Sequence, residues 1–470
     1  MLKTIIEKEI RDLIGSTKFA ITFGACAVLI IGSFYAGAAR YDLYRQQYDA
    51  SKSQEMRQIG ENTDWISVGE AKAFLPPDPL ATLVSGVSND IGRTASVSGR
   101  GEPGIDDSRY SEDPIYAVFQ FLDLEFVFKV ILSLFAILLG YDAVSGEKEQ
   151  GTLRLAFTNA VPRHTYIIGK ILGGFGVLAV SLLVALAAGA LLFPAMGVPM
   201  SGADWGTLGL IIATGFLYFG VFLTLSVAVS ALTQRPSSSF LVMLVVWIVA
   251  VMIVPRVAVL SAGRAVEVPS ADEIASQKSR YAGQLRQDYY AAMAGMSIDM
   301  SGGGDPIQKL NQFMDSLTNV RQAKMDELSG RLNEQRHNAQ EQQGKLALAL
   351  ARVSPTASLT LAISHLAGTS LALNERFYQE SLEYGREFGE FKREKTGFNS
   401  GASLRVIRVG DGEEDEREPI DPTELPQFEY HRQKTTDAIG AAAADIGLLA
   451  FFNLLFFAGA FVAFSRYDLR

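Results

Sequence analysis

Six apolar runs decide most of what this chain can fold into: residues 19–39, 117–140, 167–193, 207–232, 240–260 and 438–464. A helix needs roughly 20 largely apolar residues to cross about 30 Å of hydrocarbon, where no water can satisfy an open backbone. Each run reaches that length, so the sequence predicts an all-α integral membrane protein with six transmembrane helices. The apolar residues are gathered into these blocks rather than spread along the 470 residues, as the cores of several soluble domains would be. The only cysteine, Cys26, lies inside the first run, which leaves no intrachain disulfide or cysteine-based metal centre. A net charge of -9 excludes a general basic footprint, so no nucleic-acid partner is expected. The first run is longer than the usual signal core of about 7–15 residues. Glu7, Glu9 and Asp12 precede it, so it reads as a retained span.

Lysines and arginines in short flanks set the orientation, because cytoplasmic flanks are enriched in them. Lys3, Lys8, Arg11 and Lys18 precede the first span; Lys148, Arg154 and Arg163 separate the second and third; Arg235 separates the fourth and fifth; Arg466 and Arg470 follow the sixth. The loop 194–206 has none, so it faces out, and both termini face the cytoplasm. Two large outer regions follow, 40–116 and 261–437. The first contains "SGVSNDIGRTASVSGRGEPG", which reads as a flexible loop.

The second outer region is expected to be mostly helical. From Pro306 to Leu332, Ile307, Leu310, Phe313, Met314, Leu317, Val320, Leu328 and Leu332 keep helical spacing, so a long amphipathic helix packed on its neighbours is expected. "SPTASLTLAISHLAG" offers Ser354 as an N-cap, Pro355 at the first helical position and Gly368 as a terminator. Arg352 and the Ser-Pro step interrupt the apolar run 346–366, which reads as lying along the outer membrane face. The acidic stretch 411–424 reads as a solvated linker to the last span. At the other end, Leu2, Ile5, Ile6, Ile10, Leu13 and Ile14 give residues 1–18 an amphipathic pattern. An interfacial helix and an inward extension of the first span both fit it.

The loop 141–166 contains "GEKEQGT", which nearly spells a phosphate-binding loop. The true loop needs G-x-x-x-x-G-K-[ST], with lysine reaching the outer phosphates. Gly146 and Gly151 have that spacing, but Thr152 stands where the lysine belongs, so the main counter-charge is missing. A charged first part, an apolar middle at Leu153, Leu155, Ala156 and Phe157, and a turn at Pro162-Arg163 instead suit a short helix that docks into a groove of a soluble partner.

The same residues resemble the type-2 family of ABC transporter permeases, whose pattern after the second span runs close to E-K/R-E-x-G-T-L, then P-x-S/T/R-R, then G-K. Here those residues are Glu147, Lys148, Glu149, Gly151, Thr152, Leu153, then Pro162 and Arg163, then Gly169 and Lys170. Ala156, Phe157 and Thr158 depart from the leucines and serine common in that family. One subgroup has a large insertion between the fifth and sixth spans, ending in a segment similar to "SPTASLTLAISHLAGTSLALNERFYQESLEYGREF". The resemblance implies a permease subunit of an ATP-driven transporter, an exporter. It implies that Glu147, Lys148, Glu149, Gly151, Thr152, Leu153, Pro162 and Arg163 form an ATPase-coupling loop. It further implies ABC ATPase subunits carrying ATP and Mg, a second permease chain, identical or sibling, and a bacterial inner membrane with the outer regions periplasmic. No cofactor is expected on this chain.

Ionisable residues inside the runs call for an account, since each costs about 2.5–3.5 kcal/mol at mid-bilayer on insertion scales. Glu125 and Lys129 are four apart and can pair on one helical face; with Asp123 they read either as a structural group near the outer interface or as part of a pathway. Asp445 lies eight residues into the last run and reads either as interfacial or as a polar contact within a permease pair. No catalytic residues are expected. His164, His337, His365 and His431 are scattered without H-E-x-x-H spacing, and there is no G-x-S-x-G elbow, so neither a metal site nor an enzyme is expected. A different class also fits: a membrane scaffold or mechanotransmitter, driven by an ATPase and acting on an envelope partner through its outer domain.

Overall fold

The computed structural model describes residues 2–88, 91–99, 101–105, 123–158, 162–294, 306–396 and 419–466. Six of its helical stretches are long and apolar enough to span: Thr17–Gly60, Leu124–Glu149, Arg163–Ala195, Gly202–Leu232, Pro236–Ala265 and Thr435–Ser465. With little strand besides, this is an all-α integral membrane protein. Ile21, Val28, Val180, Val184, Leu241 and Leu454 stay exposed on these helices, as lipid-facing side chains do. Contacts divide the chain into two units. One comprises Met1–Pro255, Ala351–Phe391 and Arg417–Arg470; the other comprises Arg256–Leu350 and Lys392–Glu416.

In the first unit, α1 (Leu2–Ile14) ends at Gly15–Ser16, and Ser16 caps α2 (Thr17–Gly60) by accepting from the Phe19 amide at 3.1 Å. That break makes α1 a separate helix rather than an extension of the first span. The 44 residues of α2 reach about 66 Å at 1.5 Å per residue, well past the apolar run that ends at residue 39. Buried Tyr41, Tyr44 and Ile59 give its polar continuation something to pack with. Beyond it come β1 (Ala71–Phe74), α3 (Pro79–Leu83), β2 (Thr94–Val97) and β3 (Gly104–Ile105), the strands forming one antiparallel sheet in the order β1-β2-β3. The glycine- and serine-rich stretch expected to be loop therefore contains strands. Ala71 and Ala73 pair with Val97 and Ala95, and this alternating inner face joins a core with Trp65, Phe377, Tyr384 and Phe388. Small residues on β1 and β2 weakened the period-2 signal in the sequence.

The second span, α4 (residues 124–140), opens under an Asp123 cap and contains a π-helical turn at Val127–Leu132. Two short helices follow, α5 (Ser145–Glu149) and α6 (Thr152–Thr158), then α7 (Arg163–Ala190) and α8 (Leu192–Ala195). A capping box between Ser201 and Asp204 starts α9 (Gly202–Leu232), and Pro236 starts α10 (Pro236–Ala265). The helix α9 is the most enclosed, with Tyr218, Phe219 and Phe222 fully buried.

The second unit holds α11 (Ala271–Ala294) and most of α12 (Pro306–Ala351). Contacts from Tyr289 to Met314 (3.4 Å) and from Lys278 to Asn333 (3.4 Å) run in opposite chain directions, so the two pack as an antiparallel hairpin. Phe313, Met314, Leu317 and Leu328 are partly buried and Leu332 is buried, whereas Val320 is exposed and lies off the stripe. The side chains of Ile307 and Leu310 fall outside the description. The segment expected to form one outer domain, 261–437, is thus shared between the two units.

Back in the first unit, α13 (Pro355–Leu366) begins with the expected Ser354 cap and Pro355, and the chain turns at Gly368 with φ +70°. Rather than lying on an open surface, it is enclosed by protein. Leu359, Ala362, Ile363, Thr356 and Ser358 are all buried in the main core. Its serines and threonines made it look too polar for the interior, but several meet partners there. The helix α14 (Ala372–Thr396) backs the sheet, and α15 (Thr435–Ser465) is the sixth span. Of the acidic stretch, 411–418 lies outside the described residues, as do 117–122 of the second run and Arg470.

Candidate functional site

The loop after α4 is tied to the spans above it by its backbone. Amides of Val144 and Ser145 donate to the Ser230 hydroxyl at 3.0 and 2.9 Å, and the Lys148 ammonium donates to the carbonyls of Thr233 (2.9 Å) and Ala231 at the end of α9. A lysine suits that place because the last carbonyls of a helix have no partner within it and carry its negative end. Gly151 turns the chain between α5 and α6 at φ +72°, a conformation that favours glycine, with open space around it. Leu153 is buried, and Phe157 sits against the rings of Tyr166 and Phe464, at 5.5 and 5.7 Å. Pro162 is extended ahead of α7, and the Arg163 guanidinium donates to the Ser465 carbonyl. Glu149, Gln150, Gly151 and Thr152 form an exposed tip.

Glu147, expected among the loop's coupling residues, points inward. Its carboxylate meets the Lys170 ammonium at 2.8 Å, accepts from the Tyr166 hydroxyl, and lies 3.5 Å from Lys8. Lys170 also meets Glu9 at 2.9 Å, and its side chain is only 6% exposed. One lysine therefore joins α1, α5 and α7. Gly169 and Gly173 admit α1 to this seam, since a Cβ on them would lie 2.6 Å from Ile5 and 2.8 Å from Glu9. Burial holds the Glu9 carboxyl above the usual carboxylate range, with Lys170 pulling it back down. A buried cation between two carboxylates costs desolvation on all three, but breaking it leaves charge uncompensated, so it holds its elements in one arrangement.

The intramembrane candidates separate into two places. Asp123 caps α4, accepting from the Phe126 amide at 2.8 Å and the Ser85 amide at 3.4 Å. Glu125 lies 3.8 Å from Lys129 and accepts from the Thr360 hydroxyl of α13 at 2.6 Å. Asp445 is fully buried, and its two oxygens accept from Arg352 at 2.7 and 3.0 Å. Within this chain Asp445 is held in an ion pair with Arg352. Between these places, the Tyr218 hydroxyl bridges Thr356 (3.1 Å) and the Lys129 carbonyl (3.1 Å) on the π turn. Ser133 accepts from the Trp247 indole at 2.8 Å, and Ser354 donates to the Ala250 carbonyl. Polar contacts thus tie α13 and the Arg352–Ser354 turn before it to the second, fourth, fifth and sixth spans.

Sequence reasoning missed Glu9, Tyr166, Arg352, Tyr218 and Thr360, and took Lys170 only as part of a motif. A signal existed in two cases: Lys170 and Arg352 each interrupt an apolar run and so needed an acidic partner. Groups of three or more histidines, cysteines and acids able to hold a metal are absent among the described residues.

Six spans, with one short loop clamped beneath them by a buried lysine, define a polytopic membrane protein built to hold that loop's tip in place. The sequence model of the family described as ABC-2 family transporter protein matches residues 3–469, and the chain belongs to that family. It is also similar to a protein named "Probable ABC transporter permease protein NosY" of Pseudomonas aeruginosa, 34% identical over 110 residues, 23% of this chain and 40% of that one. The protein of the same name from Stutzerimonas stutzeri is 32% identical over 127 residues, 26% of this chain and 45% of that one. The chain spans less than half the length of these curated relatives.

Proposed function

We propose that this chain is the permease subunit of an ATP-driven ABC transporter, working as an exporter, with ATP and Mg held by separate ATPase subunits. The observation that carries the reading is the loop 141–158: an exposed tip at Glu149–Thr152 on a base fixed to α1, α7 and α9. A docked motor that moves the tip moves the bundle, because Glu147 and Lys148 tie the same short helix to three others. Residues on the tip (Glu149, Gly151, Thr152) contact the ATPase, whereas Glu147, Lys148, Leu153 and Arg163 transmit. Both termini lie on the cytoplasmic side of a bacterial inner membrane, and a second permease chain, identical or sibling, completes the pathway. Membership of the ABC-2 family and the similarity to the two named permeases support this reading.

The test is reversal of charge at the tip. Glu149→Arg should abolish stimulation of a reconstituted ATPase partner while the purified permease keeps its wild-type thermal unfolding. Undiminished stimulation in both Glu149→Arg and Gly151→Trp proteins would refute the assignment.

A further inference from the structure

Among the described residues, two spans carry a π-helical turn: Val127–Leu132 in α4 and Ile248–Ile253 in α10. Such a turn holds one residue more than α-helical bonding needs, and its altered spacing deprives nearby carbonyls of their usual amide donors. In α4 the Ser133 amide turns to the Val130 carbonyl, so the Lys129 carbonyl is served instead by the hydroxyls of Ser133 at 2.7 Å and Tyr218 at 3.1 Å. Gly215 lets α9 come that close, since a Cβ on it would lie 2.8 Å from the Phe128 ring. In α10 the Val254 amide reaches back five residues to Val249, and the next residue, Pro255, has no amide to offer Ala250. The Ser354 hydroxyl donates to that carbonyl instead.

These groups close into a circuit. The Trp247 indole, on the residue before one π turn, donates at 2.8 Å to the Ser133 hydroxyl, on the residue after the other. From Ser133 the circuit runs through the Lys129 carbonyl to Tyr218 and on to the Thr356 hydroxyl at 3.1 Å. The Thr356 amide then donates to Ser354 at 3.1 Å, and Ser354 returns the circuit to α10 at Ala250. Tyr218 and Ser354 each spend their only proton on a π-turn carbonyl, which makes Thr356 the donor to Tyr218. Ser133, Tyr218, Ser354 and Thr356 are fully buried, so a group released from the circuit meets an apolar interior rather than water.

Closing one π turn would rotate the rest of its span by about 100° and draw it about 1.5 Å along its axis, one residue's share of an α-helix. In α10 that movement shifts Trp247 relative to Ser133, and Ser133 serves the carbonyl that the α4 turn exposes. Neither turn can therefore change alone without stranding a buried group of the other. We propose that the two π turns act as one hinge: the second and fifth spans change their helical register together, coupled through the Trp247–Ser133 bond. Tyr218 and Ser354 attach the start of α13 to one turn each, so α13 is the clasp that locks the pair. None of these groups lies in the loop 141–158, so the hinge stands apart from the coupling assignment.

The experiment reads hydrogen exchange by mass spectrometry on the full-length chain in nanodiscs, and the reporter is always the turn that was not altered. Pro255→Ala supplies the missing amide and lets α10 close its turn; exchange of residues 124–134 should accelerate about tenfold, as the loss of one buried hydrogen bond would give. Ser133→Ala acts from the other span and should accelerate residues 247–256 by a similar factor. Added to Trp247→Phe, where the coupling bond is already gone, Pro255→Ala should produce no further change in residues 124–134. The helix α7 serves as reference. A variant that accelerates α7 as well is unfolding as a whole, and the variant on the opposite span then decides. If a variant with normal α7 exchange leaves the unaltered turn within about twofold of wild type, or if the Pro255→Ala effect persists in full beside Trp247→Phe, the proposal is overturned.

Discussion

Replacing Lys170 with methionine keeps most of the length of the side chain and removes the cation that lies within 3 Å of both Glu9 and Glu147. The two carboxylates then face one another in the seam between α1, α5 and α7. Breaking a buried ion pair costs about 3–5 kcal/mol in typical cases. Protonating one acid at neutral pH instead costs about 3–4 kcal/mol at 1.36 kcal/mol per pKa unit. Lys8, 3.5 Å from Glu147, and residual exposure of the acids offset part of this, so the expected loss is about 3 kcal/mol. At 1.4 kcal/mol per decade, amide exchange across residues 145–158 should accelerate about a hundredfold. The assay is hydrogen exchange of the reconstituted protein, read peptide by peptide, with α11 and α12 as an internal reference.

Sign and pH dependence sharpen the test. A carboxyl raised in the folded state binds more protons there than in the unfolded chain, so stability rises as pH falls through its folded value. Burial already raises Glu9, and Lys170 opposes the shift. Without Lys170 the penalty should be largest at alkaline pH and shrink as pH falls through the raised Glu9 value. The triple variant Glu9→Gln, Glu147→Gln, Lys170→Met, with no charge left to strand, should recover most of the protection. Exchange in Lys170→Met within about threefold of wild type, a difference under about 0.7 kcal/mol, would refute the reasoning.

Gly169→Leu places a side chain where even a Cβ lies 2.6 Å from Ile5, and overpacking of this kind costs about 1–3 kcal/mol; proteolysis of residues 1–16 should quicken while the spans stay folded. Asp445→Asn leaves Arg352 without its charge partner and should lower the unfolding midpoint, by about 2–4 kcal/mol in stability, whereas Arg352→Met with Asp445→Leu should restore most of it. Tyr218→Phe removes the hydroxyl between Thr356 and the Lys129 carbonyl and should cost about 1–2 kcal/mol, visible as faster exchange of α13 alone.

Spans were legible because span length and apolarity are set by the bilayer, a constraint that acts on each segment by itself. The described parts of all six runs lie in long helices, and the Ser354–Pro355 start and Gly368 stop of α13 follow from capping rules that are equally local. The location of α13 was not legible, because a buried threonine and an interfacial one look alike until the partner is known: Thr360 needs Glu125 from 235 positions away. The same holds for Lys170, whose two acids lie on helices distant in sequence. The strands were hidden by alanines and serines, whose burial depends on Phe377 and Phe388 arriving from the far end of the chain. In the loop 141–158 the motif marked a segment, while the division between an exposed Glu149 and an inward Glu147 two positions earlier needed coordinates.

Purification of the tagged chain in mild detergent, with mass spectrometry of what remains bound, addresses the central claim most directly. A soluble ATP-binding subunit should accompany the wild-type chain and be lost from Glu149→Arg and Gly151→Trp proteins whose unfolding is normal. Recovery of an intact assembly without any ATP-binding subunit, or with one retained equally by both variants, would contradict it.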